Sequence, residues 1–126
     1  MAIVQRDPSS SERERVLTKA LLSAAVRLKL KAATVSAVIG VSEATVSRMK
    51  NGGHTLEEGT KPFELAVLLI RLYRSLDALV GGDDRIACAW LNNPNRVLNA
   101  RPVEKIGTVA GLVDVIAYLD ARRALV

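Results

Sequence analysis

The sequence predicts an all-helical protein made of two small units. From Ser9 onwards, apolar residues recur every three or four positions, the period of an amphipathic helix, and no stretch shows the alternation typical of a half-buried strand. Short groups of glycine, proline and asparagine separate these periodic stretches. With 49% hydrophobic and 25% charged residues, the 126-residue chain has the composition of a folded protein. It is too short for a large multidomain enzyme.

Three helices are predicted in the first fifty residues. The first begins near Ser11, because Ser11 and Glu14 have the spacing of a capping box. Two short helices follow, over about residues 32–39 and 43–50, with Gly40 between them. Asparagine and two glycines after the third helix provide the backbone freedom that a helix end requires.

The longest helical pattern covers about residues 61–80, with Thr60 as a candidate N-cap and Pro62 in the first turn. One face carries six leucines, namely Leu65, Leu68, Leu69, Leu72, Leu76 and Leu79. Further apolar residues extend well beyond the roughly 100° stripe of a surface helix. We therefore expect this helix to serve two cores, or one core and a partner subunit, which makes it the candidate interface of a homodimer.

A boundary between two units is predicted at Gly81 and Gly82, giving residues 1–82 and 83–126. The second unit should contain a helix carrying Trp90, an irregular turn, a short helix opened by Pro102, and a last helix over about residues 108–123. At 44 residues it is near the size below which a domain rarely folds alone. It should therefore pack on the long helix or on another chain.

The net charge of +5 favours an anionic partner, first a nucleic acid and second an acidic protein. Between positions 27 and 50 there are five basic residues and one acidic one, whereas residues 83–126 hold six basic and five acidic. The basic residues are Arg27, Lys29, Lys31, Arg48 and Lys50. The expected nucleic-acid contact therefore belongs to the first half.

An enzyme is not expected. The chain has one histidine, His54, and one cysteine, Cys88, with no catalytic signature around either. There is no phosphate-binding glycine loop and no metal-ligand cluster, so no cofactor and no metal are predicted. The single cysteine, the lack of a signal-peptide pattern and the lack of a long apolar run predict a cytoplasmic protein with no membrane partner.

Residues 32–52 have the pattern of two short helices that cross through a tight turn. Five apolar residues have the spacing to point into the crossing, namely Val35, Ile39, Val41, Val46 and Met49. Ser36 is small where the helices approach, Gly40 permits the turn, and Ser42 is a natural N-cap for the second helix. This combination predicts a helix-turn-helix motif.

The outward face of the second helix is the candidate DNA-binding surface. The candidate residues are Lys31, Ser42, Glu43, Ala44, Thr45, Ser47, Arg48, Lys50 and Asn51. Arg48 can donate to guanine or hold a phosphate, Glu43 can accept from cytosine, and the lysines can contact phosphates. The alternative is that these charges form only a solvated surface.

The last 38 residues, AWLNNPNRVLNARPVEKIGTVAGLVDVIAYLDARRALV, resemble the toxin-binding domain of Xre/MbcA/ParS-type antitoxins. The matching residues are Trp90, Leu91, Pro94, Asn95, Leu98, Pro102, Gly111, Val115 and Leu119. Asn99 and Ala100 stand where that family usually places a glycine, and the tail lacks the usual closing glycine. The family also joins this domain to a helix-turn-helix, so the resemblance covers nearly the whole chain.

The resemblance implies an antitoxin that neutralises a RES-domain toxin, an NAD-degrading enzyme, and that represses its own operon as a homodimer or as a toxin complex. In such proteins the C-terminal region obstructs the active site of the toxin. The toxin-binding residues implied here are Asn95, Arg101, Tyr118, Arg122, Arg123, Leu125 and Val126.

Three alternatives remain open at the level of sequence. Arg122 and Arg123 can equally serve to complement the dipole and cap the carbonyls of the last helix. The chain can be a stand-alone transcriptional regulator whose second half only dimerises. It can also be an adaptor that never touches DNA, in which case the basic cluster is incidental.

Overall fold

The computed structural model describes residues 8–125, and this part of the chain folds into seven helices. They are α1 (Pro8–Arg27), α2 (Ala32–Ile39), α3 (Glu43–Lys50), α4 (Lys61–Leu79), α5 (Asp84–Asn92), α6 (Pro102–Lys105) and α7 (Val109–Ala124). The only strand-like pairing in this range is a single bridge between Asn95 and Ala100. The all-helical prediction is confirmed, and the two short helices of the predicted helix-turn-helix have the expected bounds.

Helix α4 is the centre of the fold. It packs most extensively against α7 and also contacts α1, α2 and α5. Of its six leucines, Leu69, Leu72 and Leu76 are fully buried, and the other three are partly buried against the same core. The helix therefore serves both halves of its own chain. This use agrees with the expectation that the helix serves two cores, and a role of the same helix in a homodimer interface stays a prediction.

The start of α1 differs from the prediction. The helix begins at Pro8, so Ser11 lies inside it and cannot form the expected capping box. Glu14 is instead buried, and its Oε2 accepts a hydrogen bond of 2.6 Å from the backbone N–H of Glu58. A carboxylate that accepts a backbone N–H compensates for part of the cost of its own burial. Glu14 thus holds the loop over residues 51–60 against α1.

The turn between α5 and α6 is closed by its own asparagines. The backbones of Asn95 and Ala100 pair, and Asn95 Oδ1 accepts from the N–H of Leu98 at 3.0 Å. Asn99 has a φ of 57°, in the left-handed region. Asparagine tolerates this region better than other residues with a Cβ. Asn99 therefore adopts a backbone conformation that suits glycine, at the place where the family that this sequence resembles usually has a glycine.

Gly111 sits where α6 and α7 meet at close range. Its N–H donates to Thr108 Oγ1 at 3.1 Å, which caps α7. A Cβ on this residue would lie 1.9 Å from the carbonyl oxygen of Lys105. Because glycine has no Cβ, it permits the first turn of α7 to lie this close to the backbone of Lys105 in α6.

Candidate functional site

The turn between α2 and α3 is fixed by three local hydrogen bonds and an apolar contact. Gly40 has a φ of 73° and its N–H donates to the carbonyl of Ser36 at 2.9 Å. The hydroxyl of Ser36 donates to the carbonyl of Val41. The N–H of Val41 donates to the same carbonyl of Ser36. The predicted inward set is confirmed: Val35, Ile39, Val46 and Met49 are buried, and Val41 is partly buried against the core.

A chain of hydrogen bonds runs along the first turn of α3 to its main cation. Ser42 Oγ accepts from the N–H of Thr45 at 3.0 Å, as expected of an N-cap, and lies 2.9 Å from Thr45 Oγ1. Thr45 Oγ1 in turn accepts from Arg48 Nη2 at 2.9 Å. The guanidinium of Arg48 is therefore oriented toward the N-terminal end of α3. A guanidinium has five N–H donors, so donors remain for another partner.

The outward face of α3 is accessible to solvent. Six of the predicted DNA-binding residues on this face are exposed, namely Glu43, Ala44, Ser47, Arg48, Lys50 and Asn51. Ser42 is exposed at the N-cap and Thr45 is half-buried at the edge. Lys31 is exposed at the N-cap position of α2. Of this set, all but the half-buried Thr45 are exposed.

The two remaining basic residues of the cluster between positions 27 and 50, Arg27 and Lys29, are also exposed. Lys29 adopts a φ of 53° in the turn that ends α1. Arg27 Nη1 donates to the hydroxyl of Tyr73 at 3.3 Å, and this hydrogen bond is the main cause that raises the pKa of Arg27. All five cations of the cluster are therefore accessible. Accessible basic side chains can neutralise phosphates and release the counterions bound to a nucleic acid.

The last turn of α7 is tied to α4 by a polar network. Asp120 accepts hydrogen bonds from Arg71 and, at 3.0 Å, from the hydroxyl of Ser75. Arg123 Nη1 also donates to Ser75 Oγ, at 3.2 Å. Burial alone would raise the pKa of Asp120, but the hydrogen bonds from Ser75 and Arg71 and the charge of Arg123 outweigh it and lower the pKa. The sequence does not reveal this network, because its members lie on two helices that are far apart along the chain.

Arg122 has different surroundings from Arg123. Its guanidinium lies 5.1 Å from the ring centroid of Tyr118, in cation–π geometry. Tyr118 itself stacks on Trp90, with the centroids 5.9 Å apart and the planes at 25°. Within residues 8–125 the guanidinium of Arg122 makes no hydrogen bond. The aromatic pair therefore supports a cation whose N–H donors remain unpaired in this part of the chain.

The end of α7 carries an exposed apolar residue. Leu125 is 83% exposed, and its backbone N–H donates to the carbonyl of Arg122 at 3.2 Å. Val126, the last predicted toxin-binding residue, lies outside the described residues. In the described part, neither Arg122 nor Arg123 uses its guanidinium to cap a helix carbonyl.

Two other predicted toxin-binding residues have partners within the chain. Asn95 closes the turn before α6, as described above. Arg101 Nε donates to Glu104 Oε1 at 2.7 Å, across the first turn of α6. Both side chains thus have a local structural role, which the sequence does not reveal because the turn geometry is needed to see it.

No group of three histidine, cysteine, aspartate or glutamate side chains with metal-binding geometry occurs among residues 8–125. Over the same range, none of the helices combines the length and the apolar character needed to cross a membrane.

Two family models match the chain, one after the other. Residues 7–71 match the antitoxin Xre-like helix-turn-helix domain, and this match alone covers more than half of the chain. Residues 75–124 match the antitoxin Xre/MbcA/ParS C-terminal toxin-binding domain. A comparison with curated proteins found no match. The two families meet within α4, the helix that both halves share. The chain belongs to the Xre/MbcA/ParS-type antitoxins of toxin–antitoxin modules, with a DNA-binding helix-turn-helix domain followed by a toxin-binding domain.

Proposed function

We propose that this antitoxin neutralises a RES-domain toxin, an enzyme that degrades NAD, by covering its active site with the end of α7. The observation that carries the proposal is the exposure of Leu125 at the end of that helix, one turn after Arg122, whose guanidinium makes no hydrogen bond within residues 8–125. An apolar side chain at a helix end gains from burial only when another molecule covers it. Arg122 adds donors in the planar geometry that suits a carboxylate or a phosphate.

The DNA half of the proposal rests on the outward face of α3. The N-terminal residues of a recognition helix contact base edges in the major groove. The hydrogen bond from Arg48 to Thr45 supports the assignment of Arg48 as a donor to guanine O6 and N7. Lys31 and Lys50 are assigned to phosphates, which position the protein without reading sequence. Through these contacts the antitoxin represses its own operon in the cytoplasm.

The proposed assembly is a homodimer within a larger toxin–antitoxin complex. Two copies of α3 would then lie about 34 Å apart, one turn of B-DNA, or a multiple of that distance. We divide the chain into a DNA-binding unit over residues 1–82 and a toxin-binding unit over residues 83–126, with α4 supplying part of the core of both. No catalytic role and no cofactor are part of the proposal.

The test is rescue of bacterial growth when the toxin encoded beside this antitoxin is co-expressed with antitoxin variants. Leu125→Asp and Arg122→Ala should each weaken rescue and leave binding to the operator duplex unchanged. Val109→Asp is the matched control, because Val109 is 59% exposed at the opposite end of the same helix. Full rescue by both tail variants, or an equal loss in the control, would contradict the proposal.

A further inference from the structure

A groove runs between α1, α4 and the last turn of α7. Its volume is about 760 Å³. The floor is apolar, and two of its residues are exposed valines, Val16 at 59% and Val67 at 43%. Leu17, Phe63 and Ile70 continue the apolar surface between them. None of the lining residues comes from α2 or α3.

The edges of the groove are mainly cationic. Four arginines line it, Arg13, Arg71, Arg74 and Arg123, against the carboxylates of Glu12 and Asp120. The lining arginines outnumber the lining carboxylates by two, and Glu58, the partner of Arg13, reduces the excess to one positive charge. Asp120 is already paired with Arg71, and Arg13 with Glu58.

Arg74 is the edge residue with the greatest freedom to bind a partner. It makes no hydrogen bond or ion pair with any residue between positions 8 and 125. An unpaired guanidinium beside an apolar floor is complementary to a helix with one apolar face and carboxylates at the border of that face. The groove thus fits an acidic amphipathic helix.

Two other occupants fit less well. A second copy of this chain would bring the same positive edge toward itself, and like charges at an interface are unfavourable. DNA would satisfy the arginines but has no apolar face to cover Val16 and Val67. An acidic partner satisfies both the floor and the edges.

We propose that an acidic amphipathic helix of the toxin docks in this groove. The proposal rests on the function assigned above, because Arg123 lines the groove and also belongs to the last turn of α7 that is assigned to toxin contact. A toxin bound at the end of α7 can therefore extend without a break along α1 and α4. It would contact both halves of the antitoxin and leave the outward face of α3 open to DNA.

The test measures the affinity of the purified neighbouring toxin for full-length antitoxin variants by isothermal titration calorimetry. Val16→Asp and Arg74→Glu should each weaken binding at least tenfold, since each puts a negative charge at a site that receives an acidic helix. Val26→Asp is the matched control: Val26 lies on the same helix, is 74% exposed and does not line the groove. All three variants should bind the operator duplex like the wild type, which also shows that they are folded.

Wild-type toxin affinity in both groove variants would overturn the inference, even if Leu125→Asp still loses affinity as the proposed function requires. If Leu125→Asp retains toxin affinity and the groove variants lose it, the proposed tail contact is contradicted and the groove proposal is supported. A lower mass of Val16→Asp by sedimentation equilibrium, without loss of toxin affinity, would assign the groove to a second copy. Absence of toxin binding by the wild type would contradict both proposals.

Discussion

Gly111→Ala should destabilise this antitoxin more than its small added volume suggests. The new Cβ would lie 1.9 Å from the carbonyl oxygen and 2.7 Å from the carbonyl carbon of Lys105. Ordinary contacts begin at 3.4 Å, so α7 and the turn before it must separate by roughly 1.5 Å, the difference between 3.4 and 1.9. The atom in the way is backbone and cannot move aside as a flexible side chain would.

The separation would disturb packing that begins at the next residue, since Leu112 is fully buried and α7 is the helix that packs most extensively on α4. Forcing atoms into a packed interior costs typically 1–3 kcal/mol, and we expect about 3 kcal/mol here because backbone must shift. With a urea m-value of about 2 kcal/mol/M, the unfolding midpoint should fall by about 1.5 M. Circular dichroism at 222 nm during urea titration measures this midpoint.

Gly107→Ala is the matched control within the same short segment. Its Cβ would meet only the Cβ of Ala37, at the ordinary contact distance of 4.0 Å. The free energy of unfolding should therefore change by less than about 0.5 kcal/mol. Unfolding of the two variants at the same urea concentration would mean that the close approach of Gly111 to Lys105 does not determine stability.

Three further predictions concern charged residues. Arg48→Ala should cost about 1–3 kcal/mol of binding to the operator in fluorescence anisotropy, and an equal loss on random duplex would assign Arg48 to phosphate instead of bases. Lys31→Ala should reduce the slope of log K against log salt by about one unit, whereas an unchanged slope would remove Lys31 from the phosphate contacts. The pKa of Asp120 is lowered in the fold, so its contribution to stability is present above the ordinary aspartate pKa of about 3.9 and is lost as the pH falls through the lower native pKa. Asp120→Asn should therefore be less stable than the wild type in urea at pH 7, with the difference shrinking toward pH 3, and a difference that is constant with pH would contradict this assignment.

The helix-turn-helix was predictable because its determinants are local. Gly40 adopts the left-handed conformation that the turn requires, and Ser42 caps α3 through a residue three positions away. The burial of Val46 and Met49 follows from helical spacing alone. Each of these features depends on residues within one turn of each other, so the order of residues is enough to predict it.

The features that the sequence did not reveal depend on contacts between residues far apart in sequence. Glu14 has the spacing of a capping box, but its partner Glu58 is 44 positions away. Arg122 and Arg123 are adjacent and look equivalent, yet only Arg123 reaches Ser75, 48 positions earlier. Local pattern cannot distinguish such residues, because the helix that packs against them determines their roles.

The proposed function assigns DNA and toxin to separate helices, DNA to α3 and the toxin to the end of α7. The most direct measurement is NAD consumption by the purified toxin in the presence of an equimolar amount of full-length antitoxin or of a variant lacking residues 121–126. The full-length chain should inhibit the toxin, the truncated chain should not, and both should bind the operator duplex with equal affinity. Equal inhibition by the two chains, or loss of operator binding on truncation, would contradict the proposed function.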